Sequence, residues 1–293
     1  MRGLRVATTG VGRASDGRHS EGVYCVVSEN AMDYGLVSIV MPSYNSERFI
    51  AESIKSVQSQ TYGDWELLVV DDCSTDDTVS VVEAMANEDQ RILVFSNERN
   101  SGAACSRNRA LREAKGDWVA FLDSDDLWAP EKLERQLTFM RDSGCSFSYT
   151  EYETIDEGGK PLGRRCSGPT RITRSGMRRY CWPGCLTVMY DRHEVGLVQI
   201  ADLKKHNDYA MWLKASDKAD CLLLPEVLGR YRVRLSSVSH SGSRIKQAEH
   251  LYRLWRTGEG CGKAASLFYT VLNSAASFYK KAKYNQLIDQ GQE

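Results

Sequence analysis

The sequence predicts an α/β protein with a mostly parallel sheet flanked by helices. Three observations carry that expectation. Apolar runs of strand length alternate with amphipathic stretches of helix length from Leu36 to about residue 145, the grammar of βαβ units. The apolar runs have the composition of buried strands. With 293 residues, 42% hydrophobic and 26% charged, the chain can bury a core without disulfide or metal staples.

Each element has its own signal. Leu36–Met41 is a buried strand, stopped by Pro42. Ser46–Gln60 is a helix with Ile50, Ile54 and Val57 on one face. Trp65–Val70 is a second buried strand. Ser74-x-x-Asp77 is a capping box opening a helix that turns Thr78, Val82 and Met85 inward. Ile92–Phe95 is a third strand, and Ala103–Lys115 a helix closed by Gly116. Trp118–Leu122 is a fourth strand. Pro130 starts a helix that aligns Leu133, Leu137 and Met140. Beyond residue 145 the alternation fades into short strands, a basic loop and helices. Residues 1–34 are rich in Arg, Gly and Ser without periodicity and read as a floppy extension, with Met32 as a candidate start. Gly10-Val11-Gly12 lacks the third glycine of a dinucleotide loop.

Net charge is −1, which argues against a general polyanion binder. The charges are segregated. Residues 63–89 carry nine acidic side chains and no Lys or Arg; residues 160–182 carry seven basic ones and no acid. The basic segments lack interleaved aromatics, so nucleic acid is not an expected partner. The nine cysteines are scattered and form no CxxC pair, the pattern of reduced thiols in a cytosolic protein. No secretory signal is evident, and the longest uncharged stretch, Ala264–Tyr279, is too short and too polar to span a membrane.

Ligands of open α/β sheets bind at the carboxyl ends of the strands, and here those ends are polar. The first strand leads into Pro42-Ser43-Tyr44-Asn45, the second into Asp71-Asp72-Cys73-Ser74, the fourth into Asp123-Ser124-Asp125-Asp126. Any one Asp or Ser there reads equally well as a helix cap. Five carboxylates on one rim repel one another unless cations or donors neutralise them. Asp123-x-Asp125 sets two hard ligands at alternate positions, suited to magnesium or manganese with phosphate oxygens completing the shell. Asn100-Ser101-Gly102 opens a helix with Arg107 one turn in, a combination that suits phosphate.

These motifs, in this order and spacing, resemble family 2 glycosyltransferases, whose nucleotide-sugar domain has the GT-A fold, a Rossmann-like sheet flanked by helices. The resemblance covers residues 36–130 through Val37–Asn45, Asp71-Asp72-x-Ser74-x-Asp76, Asn100-x-Gly102 through Arg107-Asn108, and Phe121–Asp126. It continues more weakly to about residue 240 through Gly184–Asp191 and Asn207–Leu213. The second of these is similar to the family's Glu-Asp motif, with Asn207 in place of the glutamate and Asp208 retained.

The resemblance implies a GT-A domain over 35–240, with a nucleotide-binding half (35–130) and an acceptor half (131–240), followed by a helical tail (241–293). It implies that Pro42, Tyr44 and Glu47 border the nucleoside and that Asp71 accepts from the imide of a uracil or thymine. Asp123 then sits near the ribose with Ser124 beside it, Arg107 serves the donor, and Asp125, with Asp123, holds the metal. Asp208 is the general base. The activity implied is inverting transfer from a nucleotide sugar, UDP-linked, to a glycan or lipid-linked saccharide in bacterial surface-polysaccharide assembly. Physical chemistry fits these roles: charge on a departing diphosphate needs neutralising, and an acceptor hydroxyl needs a base.

Among the remaining features, Arg230, Arg232, Arg234, Arg244 and Lys246 follow the expected base, and one of them is a candidate for the diphosphate. Trp128 and Trp182 are candidates to stack on sugar, or simply to pack. The tail carries four lysines and no acid from Lys263 to Lys283, interleaved with Leu267, Phe268, Val271, Leu272, Phe278 and Tyr279. It reads either as a helix on an anionic membrane surface, at the inner face of the cell membrane, or as one docked on the domain. Two other functions share the fold. A sugar-nucleotidyltransferase needs a Gly-rich loop and a lysine after the first strand, where this chain has Pro-Ser-Tyr-Asn. A non-catalytic nucleotide-sugar-binding module would explain Asn207 as decay.

Overall fold

The computed structural model describes residues 33–234 and 244–287. From Tyr34 onward the chain forms one compact unit. The expected extension before residue 33 lies outside the described residues, as does His240, which in its Ser-rich stretch reads either as a metal or phosphate ligand or as a solvated side chain.

Four strands form the parallel half of the sheet: β1 (Val37–Ser43), β2 (Trp65–Asp71), β3 (Ile92–Ser96) and β4 (Trp118–Phe121). Their spatial order is β3-β2-β1-β4. The chain steps outward from β1 to β3, then crosses back to the other side of β1. That reversal is a topological switch point, and the crevice above it is where open sheets take their ligands. Helices α1 (Ile50–Gln58), α2 (Thr78–Glu88), α3 (Gly102–Glu113) and α4 (Lys132–Ser143) cover the two faces. The pleat of β1 shows the division. Val37, Ile39 and Met41 belong to the core under α1 and α4, whereas Val40 joins the core under α3.

Past β4 the sheet becomes mixed. After the short β5 (Leu127–Trp128), β6 (Phe147–Ile155) and β7 (Pro161–Cys166) make an antiparallel pair. Following β8 (Arg171–Ile172), β9 (Met189–Asp191) wedges antiparallel beside β4. The long β10 (Cys221–Arg232) runs parallel to β6 with two register shifts, and β11 (Asn285–Leu287) closes the edge on β7. The helices here are α5 (Arg174–Arg179), α6 (Arg192–Val195), α7 (Asn207–Ala215), α8 (Arg244–Arg253) and α9 (Lys263–Tyr284). Trp255, after α8, is fully buried and stacks on Tyr269 of α9, with ring centroids 4.4 Å apart.

Several boundaries differ from the sequence reading. Pro42 does not stop β1, which runs on to Ser43 in register with Asp71. The Val40 carbonyl accepts from Leu122 on the β4 side, and β4 pairing ends at Phe121. Pro42 faces that same side, so its missing N–H falls where no partner strand remains. The first helix begins at Ile50, because Ser46 is drawn into loop contacts with Thr78 and Ser124. Ser74 makes no capping box; its hydroxyl and amide both donate to Asp71. Gly116 is not the cap of α3, which ends at Glu113 and is capped by Ala114. A Cβ there would lie 2.5 Å from the Leu36 carbonyl oxygen and 2.6 Å from the Ser38 nitrogen, so glycine lets the chain pass close to β1.

Candidate active site

Three loops at the carboxyl ends of the strands build the site, and hydrogen bonds lace them together. Asn45, after β1, receives the Thr75 amide on its side-chain oxygen (2.8 Å) and donates its own amide to Ser74 Oγ (2.9 Å). The Glu47 carboxylate accepts from the Asp77 amide (2.9 Å), and its amide donates to Asp76 (3.2 Å). Ser124 shares a buried hydroxyl contact with Ser46 (2.8 Å). Asp72 accepts from Asn97 and from the Ser101 and Gly102 amides at the mouth of α3. That carboxylate holds the start of α3 in place of an exogenous anion.

Among the described residues, three that are not glycine have left-handed backbones: Asn45 (φ 47°), Cys73 (φ 61°) and His206 (φ 59°). Each abuts a residue singled out from the sequence: Tyr44, Asp72 or Asn207. Such conformations persist where surrounding contacts over-determine them, and they cluster at functional sites. Only Asn45 carried a sequence signal, since asparagine tolerates this region.

Of the rim carboxylates, Asp123, Asp125 and Asp126 crowd together, and each has a partner. Asp71 is buried and held by Ser74. Asp123, one-third exposed at 32%, pairs with the Arg107 guanidinium, itself only 6% exposed. Arg107 also donates to the Asn207 side-chain oxygen, so it bridges the β4 loop and the start of α7. The resemblance makes Arg107 a donor-binding side chain; its guanidinium here donates to Asn207 and Asp123. Asp125 pairs with Arg234 (2.8 Å). Asp126 is buried and accepts from the Arg232 amide (2.8 Å). Buried Arg232 donates to the Asp125 carbonyl (2.8 Å) and to Glu52 (2.6 Å).

Electrostatics mark the same cluster. Burial raises the pKa of Asp123, and the charges of Asp125 and Asp208 push the same way against Arg107. Asp126 is pushed well above the usual carboxylate range by burial, then by Asp125 and Asp123. Three crowded carboxylates, two of them driven toward protonation, form a set that a cation would relieve. Asp123 and Asp125 are hard oxygen donors at its open edge and fit a divalent ion, with ligands beyond these two left to a bound phosphate. Among the described residues no group of three or more His, Cys, Asp or Glu side chains forms a ready metal cage.

Asp208 lies in the first turn of α7, beside left-handed His206. Its charge reaches Arg107 and Asp123. Tyr44 is exposed and Pro42 buried beside the same mouth. Of the five basic candidates, Arg234 pairs with a rim carboxylate, Asp125, whereas Arg230 pairs with Glu153. Trp128 and Trp182 are buried packing residues whose indole N–H groups donate to the Leu186 and Gly176 carbonyls.

Comparison with known proteins agrees with this geometry. Residues 38–189 match the family model Glycosyl transferase family 2. A Bacillus subtilis glycosyltransferase named for teichuronic acid biosynthesis, TuaG, is 39% identical over 222 residues, covering 75% of this chain and 87% of that protein. The Escherichia coli protein WfgD, a UDP-Glc:α-D-GlcNAc-diphosphoundecaprenol β-1,3-glucosyltransferase, is 37% identical over 257 residues, covering 87% and 98%. Among solved structures, Staphylococcus aureus TarS in complex with UDP-GlcNAc superposes with a TM-score of 0.64 at 23% identity, covering 84% of this chain and 76% of that one. Pyrobaculum calidifontis mannosyltransferase PcManGT with GDP-Man and Mn²⁺ superposes with a TM-score of 0.59 at 21% identity, covering 85% and 70%. The switch-point crevice, the carboxylate rim and these matches together make the chain a glycosyltransferase of GT-A fold, a member of glycosyl transferase family 2.

Proposed function

We propose that the protein transfers a sugar, with inversion, from a UDP-linked donor to a hydroxyl of a lipid-linked or glycan acceptor in surface-polysaccharide assembly. The bridge made by Arg107 carries this reading. It ties Asp123, on the donor side, to the residue preceding Asp208, on the acceptor side. The relatives TuaG and WfgD support the pathway and the acceptor class.

We assign the roles as the family resemblance implies. Asp71 accepts the imide N–H of the base, and exposed Tyr44 offers its ring to the nucleoside, with Pro42 and Glu47 bordering it. Asp123 and Ser124 flank the ribose, and Asp125 with Asp123 would hold a magnesium or manganese ion. When bound, that ion supplies positive charge against the diphosphate. Arg234, already on Asp125, adds a second cation at the same edge. Asp208 accepts the proton of the acceptor hydroxyl as its oxygen attacks the anomeric carbon. The bond to the diphosphate breaks on the opposite face and the diphosphate leaves with the electron pair, so the anomeric centre inverts. Asn207 departs from the family's glutamate, yet its amide oxygen meets the donor role of Arg107 without adding a charge beside Asp123 and Asp208.

Release of nucleoside diphosphate from UDP-, GDP- and dTDP-sugars, with and without Mn²⁺, tests the proposal. Release is expected with a UDP-sugar and metal. Asp208→Asn should lower it about 10²–10⁴-fold while leaving donor binding intact. An unchanged rate in Asp208→Asn removes the base from the mechanism.

A further inference from the structure

Helix α9 is inside-out. Its buried positions are small and polar: Ser266, Thr270 and Asn273. Ser266 and Thr270 return their hydroxyls to the carbonyls of Gly262 and Ser266, four residues back, and Asn273 donates to the Arg178 carbonyl of α5 (3.0 Å). Its large apolar side chains lie largely outward. Leu267, Phe268 and Val271 are 60%, 61% and 62% exposed, and Phe278 and Tyr279 continue the ridge. Spacings of three, four and seven residues put these side chains on one stripe. A surface helix packed on its own domain normally shows the reverse pattern, and contiguous exposed apolar area marks a contact site.

The surroundings of the ridge give the chemistry of the partner. Phe268, Tyr269 and Leu272 form one wall of a cleft of about 470 Å³, and Arg174, Ser175, Arg178 and Arg179 of α5 form the other. Arg174 pairs with Asp217; exposed Arg179 has no carboxylate partner among the described residues. From Lys263 to Tyr284 the helix carries four lysines and no acid. An apolar ridge edged by cations complements anionic headgroups over acyl chains. A second copy fits less well, since antiparallel two-fold pairing of this face sets each arginine edge against its own kind. Among the described residues no helix is long and apolar enough to cross a membrane, so the contact is with its surface.

We propose that the outward face of α9 and the α5 arginines dock on an anionic phospholipid surface, with a lipid phosphate seated in the cleft between them. The assignment of base and donor is independent of this inference.

Co-sedimentation of the full chain with vesicles tests it. Vesicles of phosphatidylcholine with about one-third phosphatidylglycerol should carry the protein down, and neutral phosphatidylcholine vesicles should not. Salt at about 0.5 M should release most of it. Phe268→Ser with Val271→Ser, and separately Arg179→Glu, should each weaken binding at least about tenfold. Both variants should keep the wild-type circular dichroism and rate of donor hydrolysis, because the altered side chains are exposed. The proposal is overturned if the wild type stays in the supernatant, if neutral vesicles bind equally, or if the variants bind as the wild type does. It is also overturned if the lipid-free protein is a dimer that Phe268→Ser with Val271→Ser dissociates.

Discussion

At the residue scale the site is a set of acids restrained by arginines. The acids were legible in the sequence because Asp-x-Asp after a strand is a local pattern. Their partners were not: Arg107 meets an asparagine 100 residues away, and Arg234 meets Asp125 across 109 residues. Such pairs depend on the fold, and spacing along the chain carries no trace of them. Asp126 yields a pH prediction. Its folded pKa lies well above the ordinary 3.8, so the native state holds its proton more tightly than the unfolded chain does. Stability contributed by the protonated form is present below about pH 3.8 and is lost as pH rises through the folded pKa. Asp126→Asn keeps an oxygen for the Arg232 amide and removes the titration. Urea unfolding across pH should show the variant gaining on the wild type as pH rises above 4, with the two matching in strong acid. A gap independent of pH would show that burial does not set this group's ionisation.

At the scale of elements the sequence was most informative where strands are wholly buried. β1 and β2 are mostly apolar and have no exposed residue, so composition located them. Element ends were less legible, because each is set by a neighbour. Ser46 was placed in a helix by periodicity and taken out of it by Thr78 and Ser124. Gly116 looked like a helix stop because glycine commonly is one. Its real constraint is the turn between α3 and β4, threaded past β1. There its amide donates to Ser38 Oγ (2.8 Å), Ser38 donates to Glu66 (2.6 Å), and Glu66 accepts the Lys115 amide (2.7 Å). Gly116→Ala should therefore cost about 1–3 kcal/mol, as overpacking against backbone does. A urea midpoint unchanged from the wild type would disprove the close approach.

At the scale of the whole molecule, the C-terminal segments belong to the core. Leu254 and Trp255 join the cluster that also holds Val40, Phe121 and Trp212, so one apolar core runs from the nucleotide half through to the tail. Trp255→Ala should cost about 3–5 kcal/mol of unfolding free energy, measured by urea denaturation. A cost below about 1 kcal/mol would mean the tail packs loosely on a self-sufficient domain. The β11–β7 pairing also bears on synthesis. A chain leaving the ribosome can pair β1 through β4 long before residues 285–287 exist. Until then β7 is a bare edge, the kind of surface on which nascent chains stick to one another. Its own sequence, Pro161-Leu-Gly-Arg164-Arg165-Cys166, sets a proline at its start and two positive charges along it. Those residues make the waiting edge a poor template for a neighbouring chain until its own last strand arrives.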